Sequence, residues 1–347
     1  MDEMDGTLAI RSPLPFQVIQ RRGFVPAQAH EHAPGGPALG KADVGVLLEW
    51  DGPPDAAFDC RAGEAAAWVP LSVTRSGGLC EGRARVPAGG WHRLEVRAAA
   101  GGRTLARAAV ENFGVGEVFV IAGQSYAEGC NDELLRVEDA GGRAAACDPV
   151  RGTWAVAHDP QPNLADGGTI WPPMCDALLP VLRVPIGLAN VAVGSTASRQ
   201  WLPGEALFER LADAGAALGR FRAVLWQQGE SDVIERTDAD TYVQRIETIR
   251  AALARRWGFE PAWLPAKSTL HPTVYNQPAQ EAVIRAAIER LWRMPGFRPG
   301  PDTDVLGGEN RGPVGTRQHF TGLGQRRAGL MWYAAVLNLL NCAGGGG

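Results

Sequence analysis

The chain has 347 residues, of which 45% are hydrophobic, and a formal net charge of −4. That length suits about two domains, and the composition supplies a sizeable core. The weak negative charge gives no electrostatic reason to expect nucleic acid or an anionic membrane as partner. No apolar run approaches the ~20 residues needed to span a bilayer.

The opening residues, Met1-Asp-Glu-Met-Asp-Gly6, are acidic and lack the apolar segment of a secretory leader. This fits a cytoplasmic protein, or an exported one whose leader has been removed. Residues 24–40, rich in Ala, Pro, His and Gly, read as a loop. His30 and His32 within it read as solvated side chains rather than metal ligands. Short β-rich runs follow, each closed by turn residues: Val44 to Trp50, Ala67 to Thr74, and Gly90 to Ala98. This spacing predicts a small antiparallel β-sandwich over residues 1–112.

From residue 113 the pattern changes to strands alternating with helices. Strands are expected at 117–122, 188–193, 223–227 and 262–270. Helices are expected at about 205–218, 239–257, 278–292 and 322–340, each with apolar residues at spacings of three and four. Such βα alternation implies a parallel sheet between helix layers. The closing Gly344 to Gly347 reads as a disordered tail. Six cysteines, at 60, 80, 130, 147, 175 and 342, show neither a C-x-x-C pair nor zinc spacing. Cys60 with Cys80, and Cys130 with Cys147, are candidate bridges; free buried thiols are the equal alternative. All but two of the 34 cationic side chains are arginine, which reads as genome composition. Nothing in the pattern specifies an oligomeric state.

Three segments carry chemistry. The run Gly116-Glu-Val-Phe-Val-Ile-Ala-Gly-Gln-Ser125 brings one serine to the end of a buried strand. Gly123 permits the sharp turn there, and nearby backbone N–H groups can face a developing oxyanion. The run Ala223 to Asp232 carries Gln228, Glu230 and Asp232 past another strand end. Near the end of the chain, His319 stands just before the last helix. Serine, acid and histidine in this order, each at an element boundary, make a nucleophilic triad plausible.

These motifs together resemble the SGNH hydrolase superfamily, over roughly residues 113–340. The closest likeness is to its sialate O-acetylesterase branch and to carbohydrate esterase family six. The resemblance implies a flavodoxin-like parallel-sheet hydrolase domain over residues 113–342, preceded by the β-sandwich. It implies Ser125 as nucleophile and His319 as base. It implies an oxyanion hole from the N–H groups of Ser125 and Gly194 and the side-chain amide of Gln228. The substrate class implied is an O-acetylated carbohydrate. A serine nucleophile needs neither metal nor other cofactor.

Two positions depart from the family. Tyr126 stands where an asparagine is usual. Thr316 stands three residues before His319, where many members keep an aspartate. Threonine cannot stabilise an imidazolium by charge. Glu230, which some relatives use, is the expected substitute. Asp302, Asp304 and Glu309 are the alternatives, and an unsupported histidine is another. Tyr126, Arg199 and Trp201 are the expected pocket lining, and His271 is a second histidine that faces the cleft. The other readings are a short-chain esterase or thioesterase of the same superfamily, and a glycan-binding protein with a lapsed active site.

Overall fold

The structure is a computed structural model that describes residues 6–24, 39–63, 66–271, 277–312 and 319–342. His30, His32, Thr316 and the closing glycines lie outside them. The strands in chain order are β1 (Thr7–Ser12), β2 (Val18–Gln20), β3 (Lys41–Asp51), β4 (Ala57–Ala62), β5 (Val69–Pro70), β6 (Val73–Ser76), β7 (Leu79–Pro87), β8 (Gly89–Ala100), β9 (Arg103–Gly123), β10 (Ala144–Asp148), β11 (Thr153–Val156), β12 (Ile186–Asn190), β13 (Ala223–Gln227) and β14 (Ala262–Pro265). The helices are α1 (Ser125–Glu128), α2 (Trp171–Leu182), α3 (Ala206–Leu218), α4 (Glu230–Ile234), α5 (Ala239–Trp257), α6 (Pro278–Trp292) and α7 (Gly322–Cys342).

The first half is the predicted antiparallel sandwich. One sheet has the order β1-β3-β7-β6. The other is built from β9, β8, β4 and β5. In β3 every second side chain is buried, as a one-faced strand requires. Val44, Val46, Leu48 and Trp50 of β3 therefore meet Phe58, Leu94, Val96 and Phe113 of the facing sheet. Cys60 and Cys80 are members of this core and are not joined to each other, nor is Cys130 joined to Cys147. Neither candidate bridge forms.

β9 belongs to both halves. Residues 103–115 pair antiparallel with β8. Residues 117–123 pair in parallel with β12 on one side and β13 on the other. Its burial changes near residue 113, from partly exposed to buried on both faces. The shift in sequence character there is a change of environment within one continuous strand. The parallel sheet runs β12-β9-β13-β14, the flavodoxin-like order, with β10 and the antiparallel β11 added beyond β12.

Alternation along β9 divides the core between two helix layers. Phe119 and Ile121 face α2 and α7, meeting Trp171, Met174, Trp332 and Val336. Val118, Val120 and Ala122 face α3, α5 and α6, meeting Leu211, Ile246, Ile249 and Ile288. Three expected helices fall within a residue of their observed bounds, and the last runs two residues further. The expected strands at 188–193 and 262–270 are shifted or shortened, to 186–190 and 262–265. Beyond Pro265 the chain leaves the sheet, and Ser268, Thr269 and Leu270 bond to side chains instead. α2 is an element with no sequence forecast. Its prolines at 172, 173 and 180 mask the helical period.

Glu117 ties the halves together. It is wholly buried at the foot of the parallel segment of β9. Arg21, next to β2, bonds it at 2.8 Å, and Arg222 bonds it at 2.7 Å and 3.1 Å. Burial alone would raise its carboxyl, but the two guanidiniums and Gln20 overcome this and hold it below the ordinary value.

Candidate active site

Three strand ends converge at the carboxyl edge of the parallel sheet. β9 leads to Ser125, β12 to Gly194 and β13 to Gln228 and Glu230. β12 and β13 flank β9, so this is the switch point where open α/β sheets place their sites. Gly123 takes φ +134°, and a Cβ there would lie 2.0 Å from the Gln227 carbonyl oxygen. Only glycine fits this crossing.

α1 is one turn long, too short to hold itself together. Its carbonyls are held by side chains instead. Asn131 donates to the Tyr126 carbonyl at 3.1 Å. Trp171 and Asn190 each donate to that of Ala127 at 2.9 Å. Gln124 adds a link to the β13 turn, accepting from Ser231 N at 3.3 Å. Ser125 is thus held on a braced turn, 8% exposed.

His319 comes to the same place. The amide of Phe320 donates to Asn131 Oδ1 at 3.2 Å, and Asp132 N donates to the Phe320 carbonyl at 3.1 Å. The His319 ring lies edge-on to Tyr126, centroids 4.9 Å apart, with His271 at 5.8 Å. Ser125 and His319 make no hydrogen bond to each other. Catalytic bonds of this kind often tighten only with substrate bound.

The expected acid is elsewhere. Glu230 is buried, and its Oε1 accepts from Ser268 Oγ at 2.6 Å. Its Oε2 bonds to no described residue. Burial, reinforced by nearby Asp304 and opposed by Ser268 and Arg311, pushes the carboxyl up to about 8. Glu230 thus faces Ser268, and no bond joins it to His319 among the described residues. The alternatives are committed too. Asp302 and Asp304 share Arg285, and Asp304 also accepts from the amides of Thr269 and Leu270. Glu309 pairs with Arg327 at 2.7 Å. None of these four carboxylates bonds His319.

The oxyanion donors are arranged differently from expectation. Gly194 does lie against Ser125, since a Cβ on it would be 3.5 Å from that of Ser125. Its N–H, however, donates to Glu128 Oε2 at 2.6 Å. Gln228 is turned away. Its Nε2 donates to Thr196 O at 3.1 Å and to Asp232 Oδ2 at 2.6 Å, which commits both amide protons. Asp232 is wholly buried and needs donors. It takes them from Ser198 N and Oγ at 2.7 Å each, as well as from Gln228.

The expected lining residues separate. Tyr126 is buried beneath the site, its hydroxyl held by Arg311, whose guanidinium also lies 4.7 Å from the ring centroid. Arg199 points outward and pairs with Glu235. Trp201 is core, packed against Trp226 and donating to Thr196 Oγ1 at 3.1 Å. Sequence reasoning missed Glu128, Asn131, Asn190 and Arg311. Glu128 stood in plain view three residues past Ser125. Asn190 and Arg311 reach α1 across 63 and 185 residues, and Asn131 reaches Phe320 across 189, so these links leave no local signal.

Residues 115–261 match the family described as carbohydrate esterase, sialic acid-specific acetylesterase. Over that stretch the chain is similar to the family. A 68-residue stretch is 38% identical to an Arabidopsis thaliana protein described as a probable carbohydrate esterase; it spans 18% of this chain and 26% of that relative. The fold is similar to a carbohydrate acetylesterase from Xanthomonas citri, with TM-score 0.60 and 17% identity, over 95% of this chain and 75% of that one. It is also similar to an Arabidopsis thaliana protein, with TM-score 0.51 and 20% identity, over 64% of this chain and 98% of the other.

Proposed function

We propose that this protein is a serine esterase that removes O-acetyl groups from a carbohydrate through an acyl-enzyme. The observation that carries the reading is Ser125 on a braced turn at the switch point, with the Gly194 backbone against it and His319 packed on the ring of Tyr126, the next residue. Ser125 Oγ attacks the ester carbonyl and passes its proton to His319. The tetrahedral oxygen is met by the N–H of Ser125 and, once free, that of Gly194. His319 then protonates the departing sugar hydroxyl. Water attacks the acyl group, His319 again takes the proton, and acetate leaves.

Gln228 and Glu230 hold the β13 turn in this account rather than touching substrate. Asp232 gathers Gln228, Ser198 and Arg245 around itself, and Gln124 bonds across to Ser231. The sugar remains to be identified; xylan, sialic acid and pectin are the acetylated candidates. An acetate-release screen over these three tests the reading, beside p-nitrophenyl esters of increasing chain length. Preference for an acetylated sugar supports it. Turnover of longer acyl esters alone supports the short-chain esterase or thioesterase instead. The occupied Gly194 amide and the carboxylates held away from His319 favour one further reading, a glycan-binding protein with a lapsed site. Serine-dependent turnover of any ester overturns that alternative.

A further inference from the structure

Glu128 is a carboxylate that the mechanism does not use, and it lies against the nucleophile. It is 6% exposed at the end of α1. Its Oε2 accepts the Gly194 N–H at 2.6 Å, and Cys130 Sγ lies 3.6 Å from the same oxygen. Glu128 Oε2 would be 2.8 Å from a Cβ on Gly194, and the Ser125 Cβ 3.5 Å from it. A carboxyl oxygen therefore occupies a backbone donor beside the serine; burial pushes this carboxyl above the ordinary value, opposed by the Gly194 amide, Cys130 and Arg210. An ester carbonyl turning into an oxyanion needs a donor at that position. In its ionised form the carboxylate makes a charge-assisted bond, about twice as strong as a neutral one, so a neutral ester carbonyl competes poorly for the N–H.

We propose that Glu128 is a built-in competitor for the Gly194 amide, and that it selects substrates able to displace it. The inference rests on Ser125 being the nucleophile. A substrate anchored through its sugar brings its carbonyl to the site at high local concentration and displaces the carboxylate. A small unanchored ester does not. Glu128 thereby suppresses wasteful hydrolysis of simple esters and leaves anchored ones as substrates. Asn163 and Asn190 hold the Glu128 backbone carbonyl, at 3.5 Å and 3.2 Å.

The test is the rate at which a fluorophosphonate labels Ser125, read by intact mass. Ser125 Oγ forms the bond to phosphorus, fluoride leaves, and the phosphoryl oxygen takes the oxyanion position. E128A should label at least ~10-fold faster than wild type, a fraction of the 10²–10³ that one such donor is worth. E128Q keeps the shape and weakens the acceptor, so it should fall between the two. Thermal midpoints accompany each rate. A purely structural role for Glu128 predicts a lower midpoint with no acceleration. Labelling of E128A no faster than wild type, at a retained midpoint, overturns the proposal. If E128A does not fold, E128Q decides, and a rate no higher than wild type overturns it. Failure of wild type and both variants to label at Ser125 overturns the esterase reading itself, and this proposal with it.

Discussion

At the scale of single residues, the site is an arrangement of committed hydrogen bonds around Ser125, whose hydroxyl bonds to none of the described residues. Ser125→Ala should abolish ester hydrolysis and leave the thermal midpoint within a degree or two, since it removes one small hydroxyl from a turn braced by other side chains. An aryl-acetate assay beside a melting curve checks both halves. Glu230 gives a different kind of prediction. Its folded value, about 8, is raised above its ordinary value of 4.5 by burial. A group raised in this way contributes its full stability at low pH and loses it as pH climbs through the folded value. Wild-type stability should therefore decline between about pH 5 and 9 in part through Glu230. Glu230→Gln should flatten that decline in urea melts taken across the range. It should also leave kcat within a few fold, because Glu230 faces Ser268 and not His319. A loss approaching the ~10⁴ typical of a missing triad acid would return Glu230 to the triad.

At the scale of elements, the turn after β9 depends on one glycine. Gly123→Ala would place a methyl 2.0 Å from the Gln227 carbonyl at φ +134°. It should lower the melting midpoint sharply and cost most of the activity, with both losses read on the same preparation. The strand-end position of Ser125, the place of His319 before the last helix, and the helices α3, α5 and α6 were legible in the sequence, because each announces itself within a few residues. Gln228 and Trp201 were not. Nothing near Gln228 shows that the buried Asp232, four residues on, will claim both its amide protons. A tryptophan near a glycine-rich block carries the same signature whether it lines a pocket or packs on Trp226. Arg199 likewise finds its partner, Glu235, 36 residues away. Local pattern reports which elements exist. It does not report which polar partner wins once they are packed together.

At the scale of the whole molecule, β9 makes the sandwich and the parallel sheet one object. The buried Glu117, clamped by Arg21 from the first half and Arg222 from the second, joins the same two regions. Calorimetry should show a single cooperative unfolding transition, and two resolved transitions would count against this coupling. Glu117→Gln strands two arginines and should cost about 3–5 kcal/mol in denaturant melts. The sign with pH is opposite to that of Glu230. Glu117 is held below its ordinary value, so its contribution is present above that value and is lost as pH falls through the folded one. Acid should therefore narrow the gap between wild type and Glu117→Gln.

The central claim is that Ser125 carries the acyl group. Rapid acid quench of the enzyme during aryl-acetate turnover, followed by peptide mapping, measures this directly. An acetyl group should be found on the peptide that contains Ser125, appearing before steady-state product and absent from Ser125→Ala. Hydrolysis that proceeds at the wild-type rate in Ser125→Ala, or an acetyl group found only on another residue, would contradict it.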